Sequence, residues 1–230
     1  MITSSLIAAL AATTNVLVFT KTVGFRHDSI PTARSAMLDL AAQKNWTIEF
    51  SEDSNVFSED RLKNYDVVVF LLTTGDILNS EQEMAFRKFV ESGGGFVGVH
   101  SASDTEYDWE WYGKLVGAYF KSHPAVQEAV IRIETAEHPT TSFLPSSWTR
   151  TDEWYCFKHN PRSSVNVLAT VDESTYSGGT MGADHPIMWW HDSLGGRAWY
   201  TAMGHTKESY TDPMFMRTIA EAVEWVKRKR

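Results

Sequence analysis

"GGGFVGVHSASD", residues 93–104, reads as a buried strand that stops on a histidine. Three glycines launch it, Phe96, Val97 and Val99 fill it, and His100 and Ser101 stand where it must end. The stretches before it obey the same grammar. "NVLVFT" (15–20), "WTIEFSED" (46–53) and "DVVVFLLT" (66–73) read as strands. Between them, "IPTARSAMLDLAAQK" (30–44) is an amphipathic helix with Pro31 in its first turn, and a short helix falls near 58–63. "SEQEMAFRKFVESG" (80–93) is a third helix, with Ser80 as its N-cap, Glu83 completing a capping box and Gly93 as its stop. Near-continuous Val, Leu and Phe in strands separated by helices predict an α/β fold with a largely parallel central sheet covered on both faces.

After Tyr119 the texture changes. "QEAVIRIE" (127–134) alternates as a half-exposed strand does, and "VNVLATV" (165–171), "PIMWWH" (186–191) and "GRAWYTAM" (197–203) read as sheet joined by Gly and Pro turns. Residues 192–196 would close a hairpin between the last two, and a final helix is expected from about Pro213 to Val226. With no internal repeat and no low-complexity linker, residues 15–230 are expected to form one domain.

Composition narrows the function classes. Of 230 residues, 43% are hydrophobic and 13% aromatic, enough for a sizeable core and too many for a disordered chain. A net charge of −8 argues against nucleic acid, whose affinity comes largely from neutralised phosphates. The one basic cluster, residues 227–230, reads as the solvated end of a helix. The single cysteine, Cys156, excludes an internal disulfide and any CxxC metal site. No run approaches the ~20 apolar residues of a spanning helix, so the chain reads as soluble with no membrane partner. Residues 1–14 read as an N-terminal extension or the remnant of a leader. Ala9-Leu10-Ala11 would pass as a cleavage site and Asn45-Trp46-Thr47 is a glycosylation sequon, so export is favoured over the cytoplasm.

Ligands of an open α/β sheet bind beyond the carboxyl ends of its strands. After the first strand come Arg26, His27 and Asp28; after the third, Thr73, Thr74 and Asp76; after the fourth, His100, Ser101 and Asp104. One late strand ends near His191 and another leads into Gly204-His205. Titratable residues from distant segments thus gather on one rim. His138 and His159, in polar loop surroundings, read as ordinary, whereas His123 and His185, each before a proline, are intermediate. Two chemistries suit the rim: imidazoles with a carboxylate holding a divalent metal, with His27, His100 and His205 as candidate ligands, or one histidine acting as general acid or base. Candidate carboxylates are Asp104, Glu106, Asp152, Glu153 and Asp184. "TDEWY" (151–155) pairs acids with aromatics, a composition suited to a polyol. "GGTMGADHPIMWW" (178–190) lacks the spacing of a phosphate loop, and "GGG" precedes its strand, the wrong order for a dinucleotide fingerprint.

These stretches resemble the ThuA-like (trehalose-utilisation) family, a branch of the class I glutamine-amidotransferase-like fold. The matching motifs are "VLVFTKTVGFRHDSIP", "YDVVVFLLTTGD", "GGGFVGVHSASDTEYDWEWYGKLVGAYFKSHP", "RTDEWYCF", "LATVDESTYSGGTMGADHPIMWWH" and "GGRAWYTAMGHT", covering nearly the whole chain. The resemblance implies a flavodoxin-like three-layer sandwich with additional β structure in the C-terminal half. In amidotransferases a cysteine occupies the strand-to-helix elbow, where this chain has His100, so cysteine-dependent chemistry lacks its nucleophile there. The resemblance also implies trehalose-related disaccharides, including 3-keto sugars, as the substrate class. The expectation is therefore a glycoside or keto-glycoside hydrolase or lyase. His100, with His27 and His205 as partners, and Asp104 or Glu153 are the expected catalytic residues. Arg26, Thr74, Asp152, Trp154, Tyr155, Asp184 and His185 are expected to bind substrate, and Trp109 and Trp111 are further stacking candidates. The alternative is a non-catalytic carbohydrate-binding module. A small carbohydrate is the expected partner, and a homo-oligomer is compatible with the sequence.

Overall fold

The computed structural model describes residues 13–227, so most of the expected extension at 1–14 lies outside the described residues. The strands, in chain order, are β1 (Thr14–Phe19), β2 (Trp46–Ser51), β3 (Val67–Leu71), β4 (Gly95–Val99), β5 (Phe120–Ser122), β6 (Gln127–Ile133), β7 (Ser147–Asp152), β8 (Cys156–Phe157), β9 (Asn166–Asp172), β10 (Pro186–Leu194) and β11 (Gly196–Thr201). The helices are α1 (Ile30–Lys44), α2 (Glu59–Leu62), α3 (Ser80–Glu91), α4 (Glu110–Val116) and α5 (Pro213–Val226). Nine strands form one sheet in the order β2-β1-β3-β4-β11-β10-β9-β6-β7, and β5 pairs with β8 in a small ribbon.

The first five strands of that order run parallel, and the remaining four are joined antiparallel. Strands β3 and β4 are buried at every position, which is why their sequences carry no polar alternation. Of the strands after Tyr119, β6, β7, β9, β10 and β11 extend the same sheet, and only β5 and β8 stand apart as the small ribbon. Strand β7 escapes the hydrophobic pattern for a physical reason. Its inward residues are Trp148, Arg150 and Asp152, so two of three buried positions carry charge.

Helices α1 and α5 pack against each other, as do α2 and α3. The chain passes through α1 from β1 out to β2, then back past β1 through α2 to β3 and on through α3 to β4. Helix α3 is capped one residue earlier than its Ser-x-x-Glu pattern suggests. Asn79 Oδ1 accepts the Gln82 N–H at 3.0 Å, and Gln82 Oε1 accepts the Asn79 N–H at 3.0 Å. Two overlapping capping patterns compete here, and the extended backbone of Asn79 decides between them. Asn79→Ala is expected to cost about 1 kcal/mol, read as a lower urea midpoint with an unchanged slope. The expected hairpin closes at Gly195, whose φ of 100° suits glycine alone.

Among the described residues no helix is long and apolar enough to cross a membrane.

Candidate functional site

Register places the site. Leu71 of β3 and Thr201 of β11 both pair with Val99 of β4, so the segments after all three leave the sheet at one edge. The loop after β1 joins them through a bridge between Thr22 and Thr74, and the Thr74 hydroxyl donates to Phe25 O at 2.9 Å. That anchor carries His27 to the same edge.

His100 sits on the elbow itself, with φ of 52°, a left-handed conformation uncommon for a side chain of its size. Its Nδ1 lies 2.6 Å from Ala202 O and donates there, because a carbonyl can only accept. That fixes the tautomer and leaves Nε2 with a bare lone pair. The Tyr200 hydroxyl donates to His100 O at 2.8 Å, and the Tyr155 ring lies 4.1 Å from the imidazole, centre to centre. His205 follows Gly204, and the backbone N–H groups of both donate to the Asp152 carboxylate, at 3.0 and 2.9 Å. The Ser209 hydroxyl donates to the same carboxylate at 3.0 Å. Arg150 pairs with Asp212 and Ser209, so the edge strand β7 is folded back onto the segment after β11. The strand's last turn thereby delivers Glu153 into the histidine cluster.

Glu153 is the hub. Its Oε2 is 3.1 Å from His205 Nδ1 and 3.4 Å from His100 Nε2, and its Oε1 is 2.9 Å from His123 Nδ1. The His27 ring stands 4.9 Å from that of His100 and 5.1 Å from that of His205. One ligand atom from each of His27, His100, Glu153 and His205 lies within 4.8 Å of all the others. His27 Nδ1, His100 Nε2 and His205 Nδ1 are buried without a well-formed hydrogen bond.

The electrostatics follow from crowding. Burial, with like charge from His100 and His205, pulls the His27 imidazole down to about 3. Burial would raise the Glu153 carboxyl, but the imidazoles of His100 and His205 hold it well below the usual range. Burial would lower His205, yet the Glu153 carboxylate beside it wins and raises its pKa. For His27 the unfolded chain takes up the proton first as the pH falls below 6.5. Its stabilising contribution is therefore whole above that pH and is lost on the way down to about 3. Between pH 6.5 and 5 the metal-free protein should lose up to about 1.4 kcal/mol per pH unit from this group. Urea midpoints across that interval should show a shallower slope for His27→Asn.

The other expected residues are placed as follows. Asp104 is half-buried, receives the Tyr107 hydroxyl at 2.7 Å, and has its pKa raised by burial. Arg26 is exposed and paired with Glu52 at 2.8 Å. Thr74 and Asp152 are fully buried and hold backbone in place, behind the cluster rather than facing a ligand. Trp154 is fully buried with its indole N–H on Gln127 O, so it is no exposed stacking platform. Tyr155 is also buried and forms the wall behind His100. Trp109 and Trp111 pack on each other and on Phe86. Asp184 is bound by Arg162 and Asn160, outside the cluster. His185 is buried between Glu173 and Tyr155 O, in a separate group. Glu106 is buried and accepts the N–H groups of Ile77 and Leu78.

His191 corrects the rim expectation. Strand β10 runs antiparallel to β11 and pairs His191 with Ala198, itself paired with Phe96, so His191 lies toward the opposite edge. It is held there by Leu115 O. The structure instead brings in His123, whose Nδ1 contacts Glu153, and its His-Pro step was the only sequence signal. Phe25, 66% exposed and edge-on to His27 at 4.9 Å, is an aromatic at the cluster that the strand-end reading passed over.

Fold and site together define an α/β protein with a histidine–carboxylate cluster at the strand-end elbow. The chain belongs to the ThuA family: the family model described as trehalose utilisation matches residues 15–226. A ThuA-like protein from Bacteroides uniformis is similar in structure, with a TM-score of 0.82 at 24% identity over 96% of this chain and 95% of that one. Another from Parabacteroides merdae gives 0.77 at 18% identity, covering 95% and 92%. The glutaminase domain of Trypanosoma brucei CTPS, with bound acivicin, shares the fold at a TM-score of 0.55 and 10% identity, covering 95% and 96%. No curated protein matches the sequence significantly.

Proposed function

We propose that the chain is a carbohydrate-active enzyme that cleaves glycosides of the trehalose class in their 3-keto form, by histidine–carboxylate chemistry assisted by a divalent ion. The observation that carries this reading is the gathering of three buried imidazoles, whose facing nitrogens lack a well-formed hydrogen bond, and one carboxylate, with a ligand atom of each within 4.8 Å of the others. The family's description supplies the substrate class. We also read the parallel half as flavodoxin-like, from its order β2-β1-β3-β4-β11.

The donor set fits a metal. His100 gives its Nδ1–H to a carbonyl, which orients the ring and leaves Nε2 free to ligate. His27, His100, His205 and Glu153 would hold the ion, a three-nitrogen, one-oxygen set suited to zinc or a similar borderline cation. A divalent ion there would polarise the C3 ketone and so acidify the neighbouring C2–H.

The chain's own residues do the rest. His123 keeps its Nδ1 toward Glu153 and Pro124 O, which leaves Nε2 as a bare base on a half-exposed ring. His123 takes the C2 proton, the C1–O bond breaks with its electron pair going to the glycosidic oxygen, and Asp104 protonates that oxygen. Burial already raises the Asp104 pKa, as an acid requires. Water then adds across C1 and C2: hydroxyl goes to C1, C2 takes a proton from His123, whose half-exposed ring exchanges it with solvent between the two steps, and the remaining proton restores Asp104.

Product formation from a 3-keto disaccharide and from its unoxidised parent, with the metal supplied, tests the proposal. The keto form alone should be cleaved. His123→Ala should lower kcat by about 10²–10⁴ while metal binding is retained. Binding of both sugars without cleavage of either would overturn catalysis and leave a sugar-binding module.

A further inference from the structure

Behind the wall formed by Tyr155 lies a second group: Cys156, Glu173 and His185, with one ligand atom from each within 4.8 Å of the others. It draws on β8, the short helical turn after β9, and the residue leading into β10. Cys156 and His185 are fully buried. The glycine-rich stretch 178–190, which binds no phosphate on its spacing, has a different role here. Its Met181 and Gly182 N–H groups donate to the Glu173 carboxylate at 2.8 and 2.9 Å. A Cβ on Gly179 would stand 2.4 Å from that carboxyl carbon, so any larger residue there would push the Glu173 carboxylate from its present seat.

The hydrogen bonding leaves a mismatch. His185 Nε2 is 2.8 Å from Tyr155 O, a carbonyl that can only accept, so Nε2 carries the proton. In the neutral tautomer Nδ1 is then bare, yet it faces Glu173 Oε1 at 2.8 Å. A 2.8 Å approach of these two atoms requires either a shared proton or a metal ion between them. The Tyr176 hydroxyl, 3.1 Å from Nδ1, can give its one proton to only one of them. The Cys156 thiol completes the third side of the same space.

We infer that Cys156, Glu173 and His185 form a second metal site, distinct from the histidine cluster, that takes zinc or another thiophilic divalent ion. A thiolate, an imidazole and a carboxylate are all zinc ligands, and His185 shows the outer hydrogen bond to a carbonyl that orients a ligating ring. Binding deprotonates the Cys156 thiol and releases that proton to solvent. The site is structural in its effect. Tyr155 accepts from His185 through its carbonyl while its ring packs on His100, so an ion here would fix the segment that carries Glu153. The inference does not rest on the activity proposed above.

Cobalt(II) titration of the metal-stripped, reduced protein tests it, because only a thiolate ligand gives a sulfur-to-cobalt charge-transfer band in the near ultraviolet. Wild type should bind two equivalents and show the band. Cys156→Ser should lose the band and one equivalent, whereas His100→Ala should keep the band. A band with a single equivalent in wild type would uphold this site and count against the histidine cluster as a metal centre. Absence of the band in wild type, with the thiol shown to be reduced by titration in denaturant, would overturn the inference. So would a band that survives in Cys156→Ser.

Discussion

Glu153→Gln is expected to weaken divalent-ion binding at the histidine cluster by about 10²-fold or more and turnover of the keto-glycoside by about 10³-fold. The substitution keeps shape and volume, so the loss is one of charge. Oε2 lies near both His100 and His205, and Oε1 holds the Nδ1 of His123. An amide presents an NH₂ to one of these groups and removes the anion that raises the His205 pKa. The ion would lose its single charged ligand, and His123 would lose the partner that orients it. Calorimetric titration with zinc and steady-state kinetics read the two effects separately. A zinc affinity within about twofold of wild type would remove Glu153 from the metal centre.

Asp152→Ala is expected to be the most destabilising single change at the site, about 3–5 kcal/mol. The Asp152 carboxylate is fully buried and accepts from Gly204 N, His205 N and the Ser209 hydroxyl, besides the N–H of Glu153. Alanine orphans these donors together and leaves buried Arg150, 3.8 Å away, to rely on Asp212 and Ser209. Because the same oxygens position His205 and Glu153, metal affinity should fall with stability. Urea denaturation reads the first and zinc titration the second. Asp152→Asn, which keeps one acceptor oxygen, should fall between wild type and alanine in both.

What was legible in the sequence follows from which forces leave a local trace. The parallel strands are buried on both faces, and unbroken runs such as "DVVVFLLT" announce that directly. Strand-end placement then finds His27, His100 and His205 without knowledge of tertiary structure. Strand β7 was illegible because its inward positions carry Arg150 and Asp152, whose partners Ser209 and Asp212 lie some 60 residues away. That folding back of β7 makes Glu153 the hub and seats His123 beside it. The hairpin expected at 192–196 already makes β10 antiparallel to β11, which reverses the end of β10 that meets the site, and His191 was misplaced because that reversal was not carried through. The aromatics of "TDEWY" suit a polyol by composition, yet packing claims both: Trp154 hydrogen-bonds Gln127 O and Tyr155 backs His100. Composition identifies residue types, whereas exposure is decided by the whole fold.

Cleavage is proposed to run through proton abstraction at C2, loss of the glycosidic oxygen and rehydration. Turnover of a 3-keto disaccharide in D₂O, with mass spectrometry of the released keto-hexose, tests it most directly. One deuterium is expected at C2 of the product, and His123→Ala should lose both the label and cleavage. A cleaved product that retains its original C2 hydrogen would mean direct displacement at C1 and would overturn proton abstraction at C2.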